Sequence, residues 1–299
     1  LQLKIAGVRL ELHWKGAAPT EECTWPFYQP FVEAAEASSR GPVDTRLHVH
    51  CAEPPTLGGA RLVFDARPNH WRLTSSGDRY AFEVFSTKPP HTRRQVAVMS
   101  SDFRAGDVYV PRQRRAAGSS WSLTRLMRPF GELLMVNLLG QGHGALLHAL
   151  GVSDRGRGLL FVGASGAGKT TLSELYRAHG DDVTILSDER VIVTRRAGQF
   201  WLSGTPWPGG GFMVSPDTVP LREIFFLEHG PRNAMIADTP LRLYALLFQQ
   251  MFLAFWNREA LEWAMALADD LVRALPAHRL SFVNDASVIE FLDGHGAQA

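Results

Sequence analysis

The sequence predicts an α/β (α+β) protein in two parts. A β-rich region covers residues 1–115, and an α/β domain built around a glycine-rich loop covers 121–299. Three observations predict this. Apolar and polar residues alternate through the first part, between closely spaced turn signals. Residues 158–180 read as an apolar strand, a glycine-rich loop and a helix closed by Gly180. Residues 182–203 read as a further strand followed by a hairpin, and apolar helices come after.

Taken in order, Val8-Arg-Leu-Glu-Leu-His-Trp14 alternates, as do Arg46-Leu-His-Val-His50, Ala60-Arg-Leu-Val-Phe-Asp65 and Tyr80-Ala-Phe-Glu-Val-Phe85. Pro54-Pro55, Gly58-Gly59, Pro68-Asn69, Ser76-Gly77-Asp78 and Pro89-Pro90 separate them. One helix is predicted over 27–36. Residues 111–120 form an Arg/Gly/Ser linker, whose Arg112-Gln-Arg-Arg115 is the densest cationic cluster. A helix follows from about Leu123, bent or split by Pro129 and Gly131. Its second half, Glu132-Leu-Leu-Met-Val-Asn-Leu-Leu139, is apolar almost all round and should be buried. After the loop come a strand over 182–187, a hairpin turning at Ala197-Gly198, a strand over 224–228, helices over 240–256 and 258–275, a strand over 279–283 and a short terminal helix. The 240–256 segment has more apolar residues than one core face needs. It reads either as a helix buried within the domain or as the interface of a homo-oligomer.

Composition narrows the function classes. At 45% apolar and 20% charged residues, the chain has the make-up of an ordinary soluble globular protein. A net charge of +1 without a basic stripe argues against nucleic acid as an obligatory partner. No run of about 18 apolar residues exists to cross a membrane. Leu1-Gln-Leu-Lys-Ile5 alternates like a strand and lacks a signal peptide's apolar core. Two cysteines, Cys23 and Cys51, are too few for a disulfide framework or a cysteine zinc site. Either one disulfide or two thiols is open to them. Two thiols fit a reducing compartment, and the expected location is cytoplasmic.

The chemistry concentrates at Gly163-Ala-Ser-Gly-Ala-Gly-Lys-Thr170, which fits G-x-x-x-x-G-K-[ST]. Glycines let successive backbone N–H groups point into one concavity and hold phosphate oxygens, and the following helix adds the positive end of its dipole. The nucleotide-binding set is therefore Gly163, Ala164, Ser165, Gly166, Ala167, Gly168, Lys169, Thr170 and Thr171. Lys169 reaches for the β and γ phosphates, and the Thr170 hydroxyl ligates Mg²⁺. About twenty residues on, the next strand ends in Asp188-Glu189. An acid there holds Mg²⁺, and a neighbour can take a proton from an attacking hydroxyl. Asp188 is assigned to the metal and Glu189 to the proton. Without the preceding loop, the pair would read as two solvated acids in a turn.

Other residues are less decided by the sequence. His148 lies on an apolar run, where a lone histidine is usually a core residue, and His143 is a neighbouring candidate in a Gly-rich loop. Gly204-Thr-Pro-Trp-Pro-Gly-Gly-Gly211 cannot be regular structure. It is either a connector or a mobile flap carrying Trp207 over a ligand. Arg190, Arg222 and Arg232 are candidates for a transition-state cation, and the sequence does not choose among them. His48 and His50 share a strand face, but no further metal ligands accompany them.

These residues carry a resemblance. The loop resembles the G-x-S-G-x-G-K-[ST] loop shared by HPr kinase/phosphorylase and phosphoenolpyruvate carboxykinase. Leu186-Ser-Asp-Glu-Arg-Val191 resembles their acidic segment, usually Asp-Asp. Leu147-His-Ala-Leu-Gly-Val152 followed by Gly158-Leu-Leu-Phe-Val-Gly163 resembles the lead-in of the HPr kinase branch, where a histidine stands fifteen positions before the first loop glycine, as His148 does before Gly163. The resemblance covers about residues 130–230. It implies a P-loop core with a mixed, partly antiparallel sheet, and it makes His148 an active-site residue near the transferred phosphate.

The implied activity is phosphotransfer from ATP or GTP, with Mg²⁺, to a serine of a protein or peptide recognised by the N-terminal region. Catalysis would rest on Glu189, Asp188, His148 and Lys169. Two departures matter. Glu189 stands where the family has aspartate as base, and the chain is short for a carboxykinase. A nucleotide-binding regulator with little turnover is the second reading, and a small-molecule kinase or carboxykinase-like enzyme the third.

Overall fold

Strand pairing builds two eight-stranded mixed sheets, each belonging to its own compact unit, Leu1–Leu138 and Leu139–Ala299. The structure is a computed structural model that describes residues 1–15, 26–34, 41–66, 70–110, 123–180 and 182–296. The chain is thus mixed α/β with a β-rich N-terminal region.

In the first unit the strands are β1 (Gln2–Ile5), β2 (Val8–Lys15), β3 (Thr45–His50), β4 (Arg61–Ala66), β5 (Trp71–Ser76), β6 (Arg79–Phe85), β7 (Arg93–Ser100) and β8 (Ala105–Tyr109). Their order is β1-β2-β3-β8-β7-β6-β5-β4, with β2/β3 and β3/β8 parallel. The alternating runs expected from the sequence all form strands. In β6 and β7 the alternation gives way to consecutive buried residues, the pattern of strands covered on both faces.

Two helices, α1 (Leu123–Met127) and α2 (Phe130–Leu139), follow, split at Pro129 as expected. They lie with this unit and not with the second. The side-chain amide of Gln95 on β7 donates to the Leu126 carbonyl at 2.8 Å, and the Phe130 ring sits 6.1 Å from that of Phe82 on β6. The boundary between units therefore falls after these helices, later than the 111–120 linker.

The helix expected over 27–36 is reduced to one 3-10 turn at Gln29–Phe31. Pro30 supplies no N–H, and Val32 turns extended to bridge Leu3. Residues 35 and 36, Cys23, the Pro68-Asn69 turn and the linker with Arg112, Arg114 and Arg115 lie outside the described residues. Cys51 is a free thiol.

The second unit contains β9 (Gly144–Asp154), β10 (Arg157–Val162), α3 (Lys169–His179), β11 (Val183–Ser187), β12 (Arg190–Arg196), β13 (Gln199–Ser203), β14 (Thr218–His229), β15 (Ala234–Ile236), α4 (Pro240–Phe248), α5 (Arg258–Ala274), β16 (Ala277–Phe282) and α6 (Ser287–Gly296). β10 pairs antiparallel with β9 and parallel with β14, and β14 runs parallel to β16. The hairpin β12–β13 turns at Ala197-Gly198 and continues the sheet antiparallel. From Leu159 to Val162 β10 is apolar at every position because helices cover both of its faces. Leu160 and Val162 pack in the core with Leu243 and Leu247 of α4 and Leu267 and Leu271 of α5. Leu159 and Phe161 pack with Leu172 and Tyr176 of α3 and Val288 and Ile289 of α6. Period-2 alternation thus feeds two cores.

α4 stops at Phe248, eight residues short of the expected end. Residues 250–252 instead run along β9. The His148 N–H donates to the Gln250 carbonyl at 2.7 Å, the Phe252 N–H donates to the Leu146 carbonyl at 2.9 Å, and Met251 bridges Leu147. An open strand edge offers these backbone groups better bonds than another helical turn would. Leu243 and Leu247 are buried, whereas Leu241 and Phe255 are exposed. Among the described residues no helix is long and apolar enough to cross a membrane.

A Cβ at Gly204 would collide with the carbonyl oxygens of Ser215 and Leu186, whereas one at Gly294 meets nothing. Gly204→Ala should therefore lower stability by about 2 kcal/mol or more, and Gly294→Ala in α6 should be neutral or stabilising by roughly 0.5–1 kcal/mol. Denaturant melts followed by circular dichroism check both. Equal effects would refute the close packing at Gly204.

Candidate functional site

The site forms where β9 changes partners. Residues 144–148 of β9 pair with β12, ending at His148↔Arg190, and 149–154 pair with β10, beginning at Ala149↔Val162. The glycine-rich loop leaves directly after Val162, and Asp188-Glu189 lies directly before Arg190. One residue step on β9 therefore brings His148, the loop and the acidic pair together. The Ala149 N–H closes the junction by donating to the Glu189 carbonyl at 3.0 Å. Divergence of neighbouring strands is where open α/β sheets form clefts.

The loop is folded around its own lysine. Lys169 Nζ donates to the carbonyls of Gly163 at 2.6 Å and Ala164 at 3.1 Å. Gly166 and Gly168 hold positive φ of 83° and 96°, which a side chain would strain. A Cβ at Gly168 would also come within 2.6 Å of the Phe282 ring. The first bond of α3 runs from the Leu172 N–H to the Gly168 carbonyl. That leaves the N–H groups of Lys169, Thr170 and Thr171 without an intrahelical acceptor, at the positive end of the helix dipole. Ser165, Gly166 and Thr170 are exposed, while Lys169 is buried.

These loop residues line one side of a cavity of about 390 Å³, from Ser165 and Gly166 to Gly168, Lys169, Thr170 and Thr171. His148, Asp188, Glu189, Gly209 and Gly210 line the other. The structure thus gathers the acidic pair, His148 and the loop in one concavity. Gly163, Ala164 and Ala167 shape the loop from behind, where Ala167 N–H donates to the Ala164 carbonyl at 3.1 Å.

Asp188 is only 2% exposed. Its Oδ1 accepts the Gly209 N–H at 2.8 Å and its Oδ2 the Gly211 N–H at 2.6 Å. The glycine run therefore has a role beyond connection. Both ends of its loop are tied, Gly204 N–H to the Asp217 carbonyl and Ser215 N–H to the Leu186 carbonyl. Trp207 is buried and does not line the cavity, so the glycines, and not the indole, face the site. Glu189 Oε1 accepts from Arg190 Nη1 at 2.6 Å, and the Arg190 guanidinium lies over the Phe252 ring. Arg190 thus joins the site through Glu189, while Arg222 and Arg232 are exposed and do not line the cavity.

His148 Nδ1 lies 3.3 Å from Gln250 Oε1. Burial holds its pKa below the ordinary histidine value, and the Lys169 charge adds to that; Glu189 and the Gln250 bond oppose it. Burial likewise lowers the Lys169 pKa, against the pull of Glu189. His143 is exposed and outside the cavity.

Three contributors were not legible as site residues. Gln250 follows from the shortened α4. His229, at the end of β14, and Asn284, just after β16, line the cavity, and His229 Nε2 lies 2.9 Å from the Gly166 carbonyl. Their one signal was position, since ligands gather beyond the carboxyl ends of strands in open α/β sheets.

Comparison with known protein families and with curated proteins gives no match to any family model or to any curated sequence.

Two predictions follow from the geometry. In an NMR titration His148 should titrate below about 6.5, and Lys169→Met should raise its value. The unfolded chain then binds the proton more readily than the folded one. The stability tied to this group is complete above about pH 6.5 and is lost as pH falls through the lowered folded value. An unchanged value in Lys169→Met would separate the two groups. Asp188→Ala removes the acceptor of two backbone N–H groups, so amide exchange at Gly209 and Gly211 should accelerate while that of β12 does not. Unaltered exchange at both glycines would show that the acid does not hold the loop.

Proposed function

We propose that the chain is a nucleotide- and Mg²⁺-dependent phosphotransferase of HPr kinase-like fold, acting on a serine-type hydroxyl of a protein or peptide. The observation that carries the reading is the single cavity uniting the loop around Lys169 with Glu189, Asp188 and His148. The resemblance of these same segments to HPr kinase/phosphorylase supports it.

The donor set suits a hard cation, with the exposed Thr170 hydroxyl and the Asp188 carboxylate as oxygen ligands on the cavity wall. These two residues would hold Mg²⁺, which neutralises phosphate charge when bound. The N–H groups at the start of α3 and the Lys169 ammonium hold the phosphates of ATP or GTP. Glu189 accepts the proton as the acceptor oxygen bonds the γ-phosphorus; the bond from γ-phosphorus to the bridging oxygen breaks, and a nucleoside diphosphate leaves. His148, held neutral by its surroundings, offers a hydrogen bond near the phosphate end. The β-rich unit is the proposed partner-recognition region, and a cytoplasmic location accords with the free Cys51 thiol.

The ion pair of Glu189 with Arg190 favours one second reading, a nucleotide-binding regulator with little turnover. Incubation with labelled ATP or GTP, Mg²⁺ and candidate peptides separates the two. Under the kinase reading, Glu189→Gln lowers transfer by about 10²-fold or more and leaves nucleotide binding intact, while Lys169→Met impairs both. Tight binding without transfer, indifferent to Glu189→Gln, would establish the regulator and exclude the kinase.

A further inference from the structure

We propose that Glu223, His278 and His295 form a second site, for a divalent transition metal of zinc type, at the end of the sheet opposite the phosphate loop. The three residues come from β14, β16 and the last turn of α6, and one ligand atom from each lies within 4.8 Å of the others. Both imidazoles converge on a single carboxylate oxygen. His295 Nε2 lies 2.9 Å, and His278 Nε2 3.7 Å, from Glu223 Oε1. Ligands about 2.05 Å from a tetrahedral zinc are separated by about 3.3 Å, and the two observed distances bracket that edge. A two-histidine, one-carboxylate set leaves a fourth position for water.

The surroundings favour a cation. Glu223 is more than nine-tenths buried, so its charge calls for a partner, whereas His278 and His295 are each about 30% exposed and give the site an opening. Beside Glu223 lies a cavity of about 100 Å³, which Asp154, Asp293 and Tyr176 also line. Burial raises the Tyr176 pKa, the charges of Asp154, Asp293 and Glu223 raise it further, and Arg157 opposes them. Arg155 and Arg157 line the same cavity, and Arg155 pairs with Asp154 at 3.4 Å and with Asp293 at 3.1 Å, while Glu223 faces the two histidines.

The fold also gives this metal a task. In the parallel register Phe225 faces His278 across β14 and β16, and Phe225 packs in the core with Val288, Ile289 and Leu292 of α6. Glu223, two residues before Phe225, lies on the same face. A metal held there fastens the last turn of α6 to the two strands. Glu223 stands beside the start of β10, by Leu159, while the phosphate loop leaves its far end at Gly163, about 13 Å along the strands. The two sites are separate.

Titration of the full chain with Co²⁺, read by the visible absorption of tetrahedral cobalt, tests the site, with Zn²⁺ as competitor. The expected result is one equivalent bound, displaced by Zn²⁺, with a rise in melting temperature on zinc binding. His278→Ala and His295→Ala should each weaken binding by more than about 100-fold, beyond the cost of losing an outer partner. Lys169→Met should leave it unchanged. His295→Ala alters a partly exposed position in the last turn of α6 and keeps the test open if changes at the buried Glu223 impair folding, which circular dichroism reports. Absence of the tetrahedral band in the folded chain, or binding that survives both histidine variants as surface capture would, overturns the proposal.

Discussion

The candidate site depends on one constraint, the register of β9 across its change of partners. His148 is the last residue paired with β12 and Ala149 the first paired with β10. Everything assigned to the site leaves from that point. β10 delivers the loop, β12 begins just after the acidic pair, and the far edge of β9 at 146–148 binds the stretch carrying Gln250. A slip of one residue in β9 would turn His148 into a core and expose Leu147, so the two hydrophobic clusters that fix the register also fix the chemistry.

Around that point, polar groups are satisfied in ways that set their availability. Asp188 is buried yet bonded through both oxygens to backbone N–H groups, so fixed dipoles stabilise its charge. Glu189 has the adjacent Arg190 for a partner, and Arg190 in turn rests on Phe252. The two acids of one dipeptide are thus differently committed, one to backbone, the other to a side chain.

The local parts of this arrangement were legible in sequence because they are local. The loop, the helix it opens, the acidic strand end and the split at Pro129 all depend on neighbours within a few residues. What was not legible depends on distant pairing. The end of α4 is set by the open edge of β9, about a hundred residues earlier in the chain, which outcompetes helix propensity at 249–252. His229 and Asn284 carry no motif and reach the cavity only because β14 and β16 run parallel to β10 or to its neighbour. The same holds for Glu223, His278 and His295, whose spacings match no ligand pattern. α1 and α2 follow the expected boundary in sequence but are held by Gln95 and Phe82 in the first unit.

The Lys169 ammonium, bonded to the carbonyls of Gly163 and Ala164, makes the loop its own occupant. Any visitor must displace two hydrogen bonds to a buried cation before it gains the lysine. A ligand with one weak charge has one group to set against two bonds, whereas a polyanion offers several oxygens to the amine and the helix terminus at once. Under the proposed reading, the loop's own backbone thus sets a threshold of charge that a ligand must meet before its shape matters.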